Sequence, residues 1–169
     1  VHATYVYGVT ETPFRGDGLE KINEMLLGPV RFQYSAKEKA AEQGIGHYLV
    51  PRFTRTVLPF GQEKLPVTHA YERLRRNENR NGLIVADVKK ALGAGRTPVI
   101  LTRFTDQAAI LYEMLKDSAQ KPFLLTGEMP KKEREAAIRQ MAEVIPQESM
   151  LLVATGQLVG EGFDYPRLD

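Results

Sequence analysis

The sequence contains no cysteine and only three histidines. The absence of cysteine excludes disulfides, thiol nucleophiles and thiolate metal sites. His2, His47 and His69 are too widely spaced along the chain to suggest a structural zinc site. No apolar run approaches the ~20 residues that a membrane-spanning helix needs, and the first residues show no signal-peptide pattern.

Two nucleotide-binding motifs are also missing. Gly156, Gly160 and Gly162 do not form a dinucleotide fingerprint, and no Walker-type Gly-Lys-Thr loop occurs. We therefore do not expect the chain to bind NAD or to hydrolyse ATP by itself. The net charge is +2, from 23 Lys and Arg against 21 Asp and Glu, which neither requires nor excludes a nucleic-acid partner.

The chain does have the composition of a cytoplasmic globular protein. It has 169 residues, of which 43% are hydrophobic and 26% are charged. This length fits one domain, or one domain with a piece of another, and it is enough to bury an apolar core without disulfides or metal.

Strand-like and helix-like segments alternate, which predicts an α/β fold with a parallel sheet flanked by helices. The predicted strands are 4–10, 30–34, 48–58, 98–102, 122–126 and 150–155. The predicted helices are 19–27, 36–43, 67–76, 81–92, 105–116 and 130–145. We expect Asp17 to cap the first helix, Gly28 to end it, and Thr105 or Asp106 to cap the fifth helix.

Helical spacing of apolar residues predicts the buried faces of three helices. The expected core residues are Ile84, Val85, Val88, Leu92, Ala108, Leu111, Tyr112, Leu115, Ile138, Met141, Ala142 and Ile145.

Threonine stands at the ends of four predicted strands, where parallel α/β sheets bind their ligands. The segments are 10–13, 102–105, 126–128 and 155–157. They supply hydroxyl groups, amides at glycine and the guanidinium of Arg103, which are groups that hold phosphate. The alternative is that these threonines only end strands and cap helices.

Four segments resemble, in family order, the motifs of superfamily 2 helicases. Residues 7–18 (YGVTETPFRGDG) resemble motif III, with Glu11 where the family usually has alanine, and residues 99–105 (VILTRFT) resemble motif IV. Residues 125–127 with 133–134 resemble the next element of the same lobe, and residues 154–164 (ATGQLVGEGFD) resemble motif V. The nearest branch is that of type III restriction subunits and related DEAD/DEAH-like proteins.

This resemblance implies a RecA-like fold that is incomplete at both ends. Residues 1–35 would be the tail of the first RecA-like lobe, and residues 36–169 the second lobe, truncated after motif V. The segment up to about residue 27 would then pack in a non-native way or against a neighbouring chain. The lysine loop, the magnesium-binding acidic motif and the paired arginines of motif VI are not in the sequence. We expect the parent protein to use ATP and magnesium, and this chain alone to be inactive as an ATPase.

The resemblance also implies roles for single residues. Thr10 and Thr12 would couple the ATP site of the first lobe to the second lobe. The expected contacts to the nucleic-acid backbone are Arg103, Thr126, Gly127, Thr155 and Gln157. The expected nucleotide contacts are Glu161, Gly162 and Asp164. The expected partners are nucleic acid, with DNA favoured, and the first lobe, and no membrane.

Several interpretations stay open at this point. The chain is expected to be part of an ATP-dependent helicase or translocase; the alternative is a non-catalytic RecA-like module that binds nucleic acid or protein. A third reading, a small α/β enzyme for a phosphate ligand, has no recognisable acid–base pair. The arginines at 73, 75, 76 and 80 form either a solvated face, paired with Glu72 and Glu78, or a DNA contact. Phe104 is either a core residue or a base-stacking residue.

Overall fold

The computed structural model describes residues 4–10, 18, 20–35, 38, 42, 44, 46, 48–54, 56, 66–156, 165, 167 and 168. The chain divides into two compact units, Val1–Pro51 and Arg52–Asp169. This division lies after residue 51, whereas the helicase resemblance places a boundary between lobes after residue 35. The boundary between lobes stays a prediction. The expected cap at Asp17 lies outside the described residues.

In the first unit, helix α1 (Glu20–Leu27) confirms the predicted helix. It ends at Gly28, whose φ of 82° lies in the left-handed region that glycine adopts without strain. Of the helix predicted at 36–43, only Glu38 and Glu42 are described, and both are helical.

The strands predicted at 4–10 and 30–34 are wrong, because neither segment pairs with another strand. The described part of the strand predicted at 48–58 is not a strand either. Tyr7 and Val9 are 86% and 99% exposed, instead of buried. A β-branched or aromatic composition favours a strand only when a neighbouring strand and a packed face are available. The expectation that this segment belongs to a first lobe stays a prediction.

The second unit begins, among the described residues, with helices α2 (Val67–Arg75) and α3 (Glu78–Gly93). Strand β1 (Val99–Thr102) leads into helix α4 (Thr105–Leu115) and a 3₁₀ turn (Lys116–Ser118). Strand β2 (Lys121–Leu125), helix α5 (Lys131–Ala142) and strand β3 (Met150–Thr155) follow. The predicted strands and helices from residue 67 onward are confirmed within a few residues of their bounds.

The three strands form one parallel sheet in the order β1-β3-β2. Leu152 in β3 lies opposite Val99 of β1 and Phe123 of β2. Every residue of β3 is buried. The parallel α/β fold is therefore confirmed.

Helices cover both faces of the sheet. Leu151 and Val153 point to a cluster with Leu111 and Leu115 of α4, and the partly buried face of α3 packs against it. Met150, Leu152 and Ala154 point to the opposite cluster, which contains Met141 of α5. From β1 the chain passes over β3 to reach β2, and it then returns in the opposite direction to β3. Because both crossover connections are expected to be right-handed, α4 and α5 lie on opposite faces of the sheet.

Helix α5 is less buried than its sequence pattern predicts. Met141 is buried and Ala137 packs beside it, but Ile138 and Ile145 are 40% and 54% exposed. Ala142 is also exposed. The described sheet is only three strands wide, so it covers a narrower stripe of α5 than the pattern implies.

The predicted cap of α4 is also wrong. Phe104 occupies the N-cap position and makes no side-chain capping bond, while Thr105 is already helical. The Oδ1 atom of Asp106 instead accepts a hydrogen bond from the next backbone amide, that of Gln107, at 2.9 Å.

The burial of β3 makes a first prediction. Leu152→Ala is expected to lower the free energy of unfolding by about 3 kcal/mol, because it leaves a cavity beside both neighbouring strands. Leu101→Ala is the matched control in the same sheet, at a side chain that is 54% exposed. Its expected cost is below about 1 kcal/mol. Urea unfolding followed by circular dichroism measures both, and equal losses would contradict the burial of β3.

Candidate functional site

The carboxyl ends of the three parallel strands meet at one edge of the sheet. Thr102, which ends β1, lies opposite Thr155, which ends β3. Leu125, which ends β2, lies opposite Ala154 of β3. Helix α4 leaves this edge on one face of the sheet and α5 leaves it on the other face. Ligands of parallel α/β sheets bind at such an edge, where loops follow the strands.

Four of the predicted backbone-contact residues lie at this carboxyl edge. Arg103 directly follows β1, Thr126 and Gly127 follow β2, and Thr155 is the last residue of β3. Thr126 and Thr155 are buried, whereas Arg103 and Gly127 are exposed. The fold therefore gathers residues from three separate segments of the chain.

Two glycine amides at this edge already have partners. Gly127 donates its N–H to the Thr155 hydroxyl at 3.2 Å. Gly156 donates its N–H to the carbonyl of Thr102 at 3.0 Å. Contact between the Gly127 amide and a phosphate would require its bond to Thr155 to open. The assigned roles of Gly127 and Thr155 stay predictions.

Arg103 is an exposed cation at the carboxyl edge. Within the described part of the chain, no carboxylate forms an ion pair with it. Its guanidinium carbon lies 5.9 Å from the centre of the Tyr71 ring. That distance is near the outer limit of about 6 Å for a cation–π contact. No described carboxylate neutralises the charge of Arg103.

Next to this edge, an open cleft of about 410 Å³ lies between α2 and the loop from β1 to α4. The rings of Tyr71 and Phe104 meet there at 5.8 Å between centroids and at an angle of 54°. The guanidinium carbon of Arg75 lies 5.0 Å from the centre of the Phe104 ring. The lining residues are Thr68, His69, Tyr71, Glu72, Arg75, Arg103 and Phe104.

Arg75 is held from several sides. Its guanidinium forms ion pairs of 3.3 Å with Glu72 and with Asp106, and its side chain is only 19% exposed. The Nε atom is buried without a hydrogen-bond partner among the described residues. The interpretation of the basic run as a solvated face is therefore right in the pairing with Glu72 and wrong for Arg75, which is mostly covered.

A chain of hydrogen bonds connects this cleft to the sheet. The Asn81 Nδ2 group donates to the carbonyl of Arg75 at 3.0 Å, and Gln107 Nε2 donates to Asn81 Oδ1 at 3.2 Å. The Thr102 hydroxyl donates to Gln107 Oε1 at 2.7 Å and accepts from the Phe104 amide at 3.3 Å. Asn81 and Gln107 are buried, at 3% and 4% exposure. We call these five residues the polar relay.

The sequence interpretation missed two residues of the cleft. Tyr71 was not singled out, and Arg75 was treated only as part of a basic run. Their spacing of four places them on one face of α2, which was the available signal. Phe104 belongs to neither apolar cluster, so its interpretation as a core residue is wrong.

Several predicted site residues cannot be placed relative to this edge. Thr12, Gln157, Glu161, Gly162 and Asp164 lie outside the described residues. Thr10 is described and belongs to the first unit. Their roles stay predictions.

Comparison with known proteins gives one structural similarity. The chain is similar to a solved structure described as the Sulfolobus solfataricus SWI2/SNF2 ATPase C-terminal domain, with 20% identity and a TM-score of 0.42. The match covers 60% of this chain and 44% of that chain. No protein-family model matches the sequence, and no curated protein does. The similarity assigns no role to any residue here.

The described residues show no metal site: they contain no group of three His, Asp or Glu side chains that could hold a metal ion. Among the helices of this part of the chain, none has the length and apolar character that a membrane crossing requires.

The polar relay makes a second prediction. Gln107→Met is expected to destabilise the second unit by about 2 kcal/mol, because it leaves the Asn81 carbonyl and the Thr102 hydroxyl without their partner. Gln140→Met on α5 is the matched control, since Gln140 is exposed and its side chain makes no hydrogen bond to the described residues. Urea unfolding compares the two variants. Equal stability would show that the relay contributes nothing.

Proposed function

We propose that this chain is part of an ATP-dependent helicase or translocase of superfamily 2 and that it contributes contacts to the nucleic-acid backbone. One observation carries the proposal: segments that resemble consecutive motifs of the second RecA-like lobe converge at one edge of a parallel sheet. Arg103, Thr126 and Thr155 come from three such segments.

The chemistry of this edge suits contact with phosphate. Arg103 offers an exposed guanidinium without a carboxylate partner among the described residues, and guanidinium groups bind phosphate oxygens with up to two hydrogen bonds. Contacts to the backbone carry no sequence information. A motor that steps along any sequence needs contacts of that kind, and DNA is the track that the restriction-like branch favours.

The nucleotide part of the proposal rests on the resemblance alone. Glu161, Gly162 and Asp164 would face ATP in a cleft shared with the first lobe, and Thr10 and Thr12 would couple that cleft to the nucleic-acid site. The lysine loop and the magnesium-binding motif would be supplied by the parent protein. The chain alone would then have no ATPase activity.

The rival proposal is a RecA-like module that holds nucleic acid or a protein without hydrolysing ATP. It shares the same carboxyl edge, and the chain has no phosphate-binding lysine loop. The two proposals differ in the activity of the full-length protein.

A third prediction therefore concerns ATP hydrolysis by the full-length protein with magnesium. We expect one of duplex DNA, single-stranded DNA or RNA to stimulate the rate, which would also identify the track. Folded protein that hydrolyses no ATP with any of them would exclude the motor and favour the binding module.

A fourth prediction concerns Arg103. Arg103→Gln is expected to weaken binding of the chain to DNA about fivefold, equally for different sequences, because one charge-assisted contact to phosphate is lost. The slope of the logarithm of affinity against the logarithm of salt concentration should become less negative. The expected change is about 0.7 for single strands and about 0.9 for duplex. Fluorescence anisotropy with labelled oligonucleotides at several salt concentrations measures both quantities.

The matched control is Arg139→Gln. Arg139 is exposed in the last turn of α5, which lies toward the opposite edge of the sheet because α5 runs back from the end of β2 to the start of β3. If both variants lose the same affinity, the effect is one of total charge and Arg103 makes no specific contact.

A further inference from the structure

We propose that the cleft between α2 and the β1–α4 loop is a nucleobase subsite, in which Tyr71 stacks on the base and Arg103 binds the attached phosphate. The inference rests on the proposed function and narrows its ligand to an unpaired nucleotide. The first reason is size. The open cleft has a volume of about 410 Å³, and the Tyr71 and Phe104 side chains line it.

The second reason is the composition of the walls. Tyr71 is 39% exposed at the cleft, and Phe104 meets it with a ring-centroid distance of 5.8 Å. An aromatic face that is half covered by protein and half open can take a planar ring. Stacking on such a face tolerates any base, because every base has a π-face.

The third reason is that the two arginines of the cleft differ in their carboxylate partners. Arg75 is neutralised by Glu72 and Asp106 and lies over Phe104, so it supports the wall of the cleft. Arg103 has no carboxylate partner among the described residues and only a distant contact with the Tyr71 ring. A base that enters over Tyr71 can displace the Arg103 guanidinium from the ring at little cost. The displaced cation then meets the phosphate of the same nucleotide.

The fourth reason is position. Arg103 belongs both to the carboxyl edge and to the cleft, so a strand whose phosphates follow the edge brings one base to Tyr71. Bases in a duplex are paired and stacked on each other, and exposing one costs a few kcal/mol. An unpaired base in a single strand reaches the cleft without that cost.

The test compares two single-stranded probes of about 12 units: a thymidine oligonucleotide and an abasic backbone of the same length. Both are fluorescein-labelled and titrated with the 169-residue chain at low salt. Tyr71→Ala is expected to weaken binding of the thymidine probe about tenfold and to leave the abasic probe within about twofold. Tyr71→Phe should retain the wild-type affinity, because it keeps the ring.

Tyr48→Ala is the matched control, since Tyr48 is 90% exposed in the first unit. It should change neither affinity. The unfolding midpoint of each variant shows whether Tyr71→Ala still folds. If it does not, the crosslink below decides whether a base lies at Tyr71.

A second readout places the base directly. The thymidine probe with 5-iodouridine, irradiated with the wild-type chain, should crosslink to the tryptic peptide of residues 65–73, at Tyr71.

Competition with thymidine monophosphate and with ATP distinguishes the source of the nucleotide. Crosslinking of the oligonucleotide that excess ATP leaves intact supports a nucleic-acid strand. Displacement by ATP at micromolar concentration, with no strand crosslink at Tyr71, would make the subsite one for a free nucleotide and overturn the single-strand assignment.

The remaining outcomes distinguish failure of the base subsite from failure of the proposed nucleic-acid binding. Wild-type binding to both probes, unchanged by Tyr71→Ala and without a crosslink at Tyr71, would overturn the subsite and leave the proposed backbone contacts standing. Equal loss on both probes would mean that Tyr71 acts only by holding the fold. No binding of either probe or of duplex would remove the proposed function together with the subsite.

Discussion

The burial of strand β3 is the constraint on which the second unit depends. Its backbone is paired with β1 on one side and β2 on the other, and its side chains alternate between two apolar clusters. A strand that is buried on both faces must be apolar throughout, as the run from Met150 to Ala154 is. Because both of its edges are occupied by parallel strands, the crossovers must contain α4 and α5, one on each face. The loops that carry Arg103 and Gly127 are therefore forced to the same edge of the sheet.

The polar relay connects the sheet to the cleft by hydrogen bonds, so the position of the sheet fixes the position of the cleft walls. Thr102 is fixed by its place in β1, and its hydroxyl orients both the Phe104 amide and the Gln107 side chain. Gln107 then holds Asn81, which binds the last turn of α2 through the carbonyl of Arg75. Buried polar groups with every bond made favour one arrangement, since an alternative packing leaves a donor or acceptor unpaired. The cleft is thus a consequence of the sheet, although most of its walls come from a helix outside it.

Features that depend on residues close in sequence could be predicted, whereas contacts between residues far apart in sequence could not. From residue 67 onward, the helices and strands follow from local periodicity, and the residues at the strand ends follow from parallel topology. The strands expected at 4–10 and 30–34 failed because strand formation needs a partner, which sequence alternation cannot supply. Tyr71 and Phe104 are 33 positions apart in sequence, so only the folded chain shows their contact. The relay was hidden for the same reason, since Asn81 and Gln107 look like ordinary helix-surface residues.

The two halves of the site differ in what they can contribute to binding. At the carboxyl edge the amides of Gly127 and Gly156 are already bonded, whereas the guanidinium of Arg103 is exposed. Salt screens a contact between an exposed guanidinium and a phosphate, so such a contact is weaker at higher ionic strength. A tight clamp would oppose stepping, because each step must break every contact before new ones form. A motor would therefore gain from contacts that are individually weak. A module that only holds nucleic acid would gain from the opposite design, in which several cations bind phosphate at once.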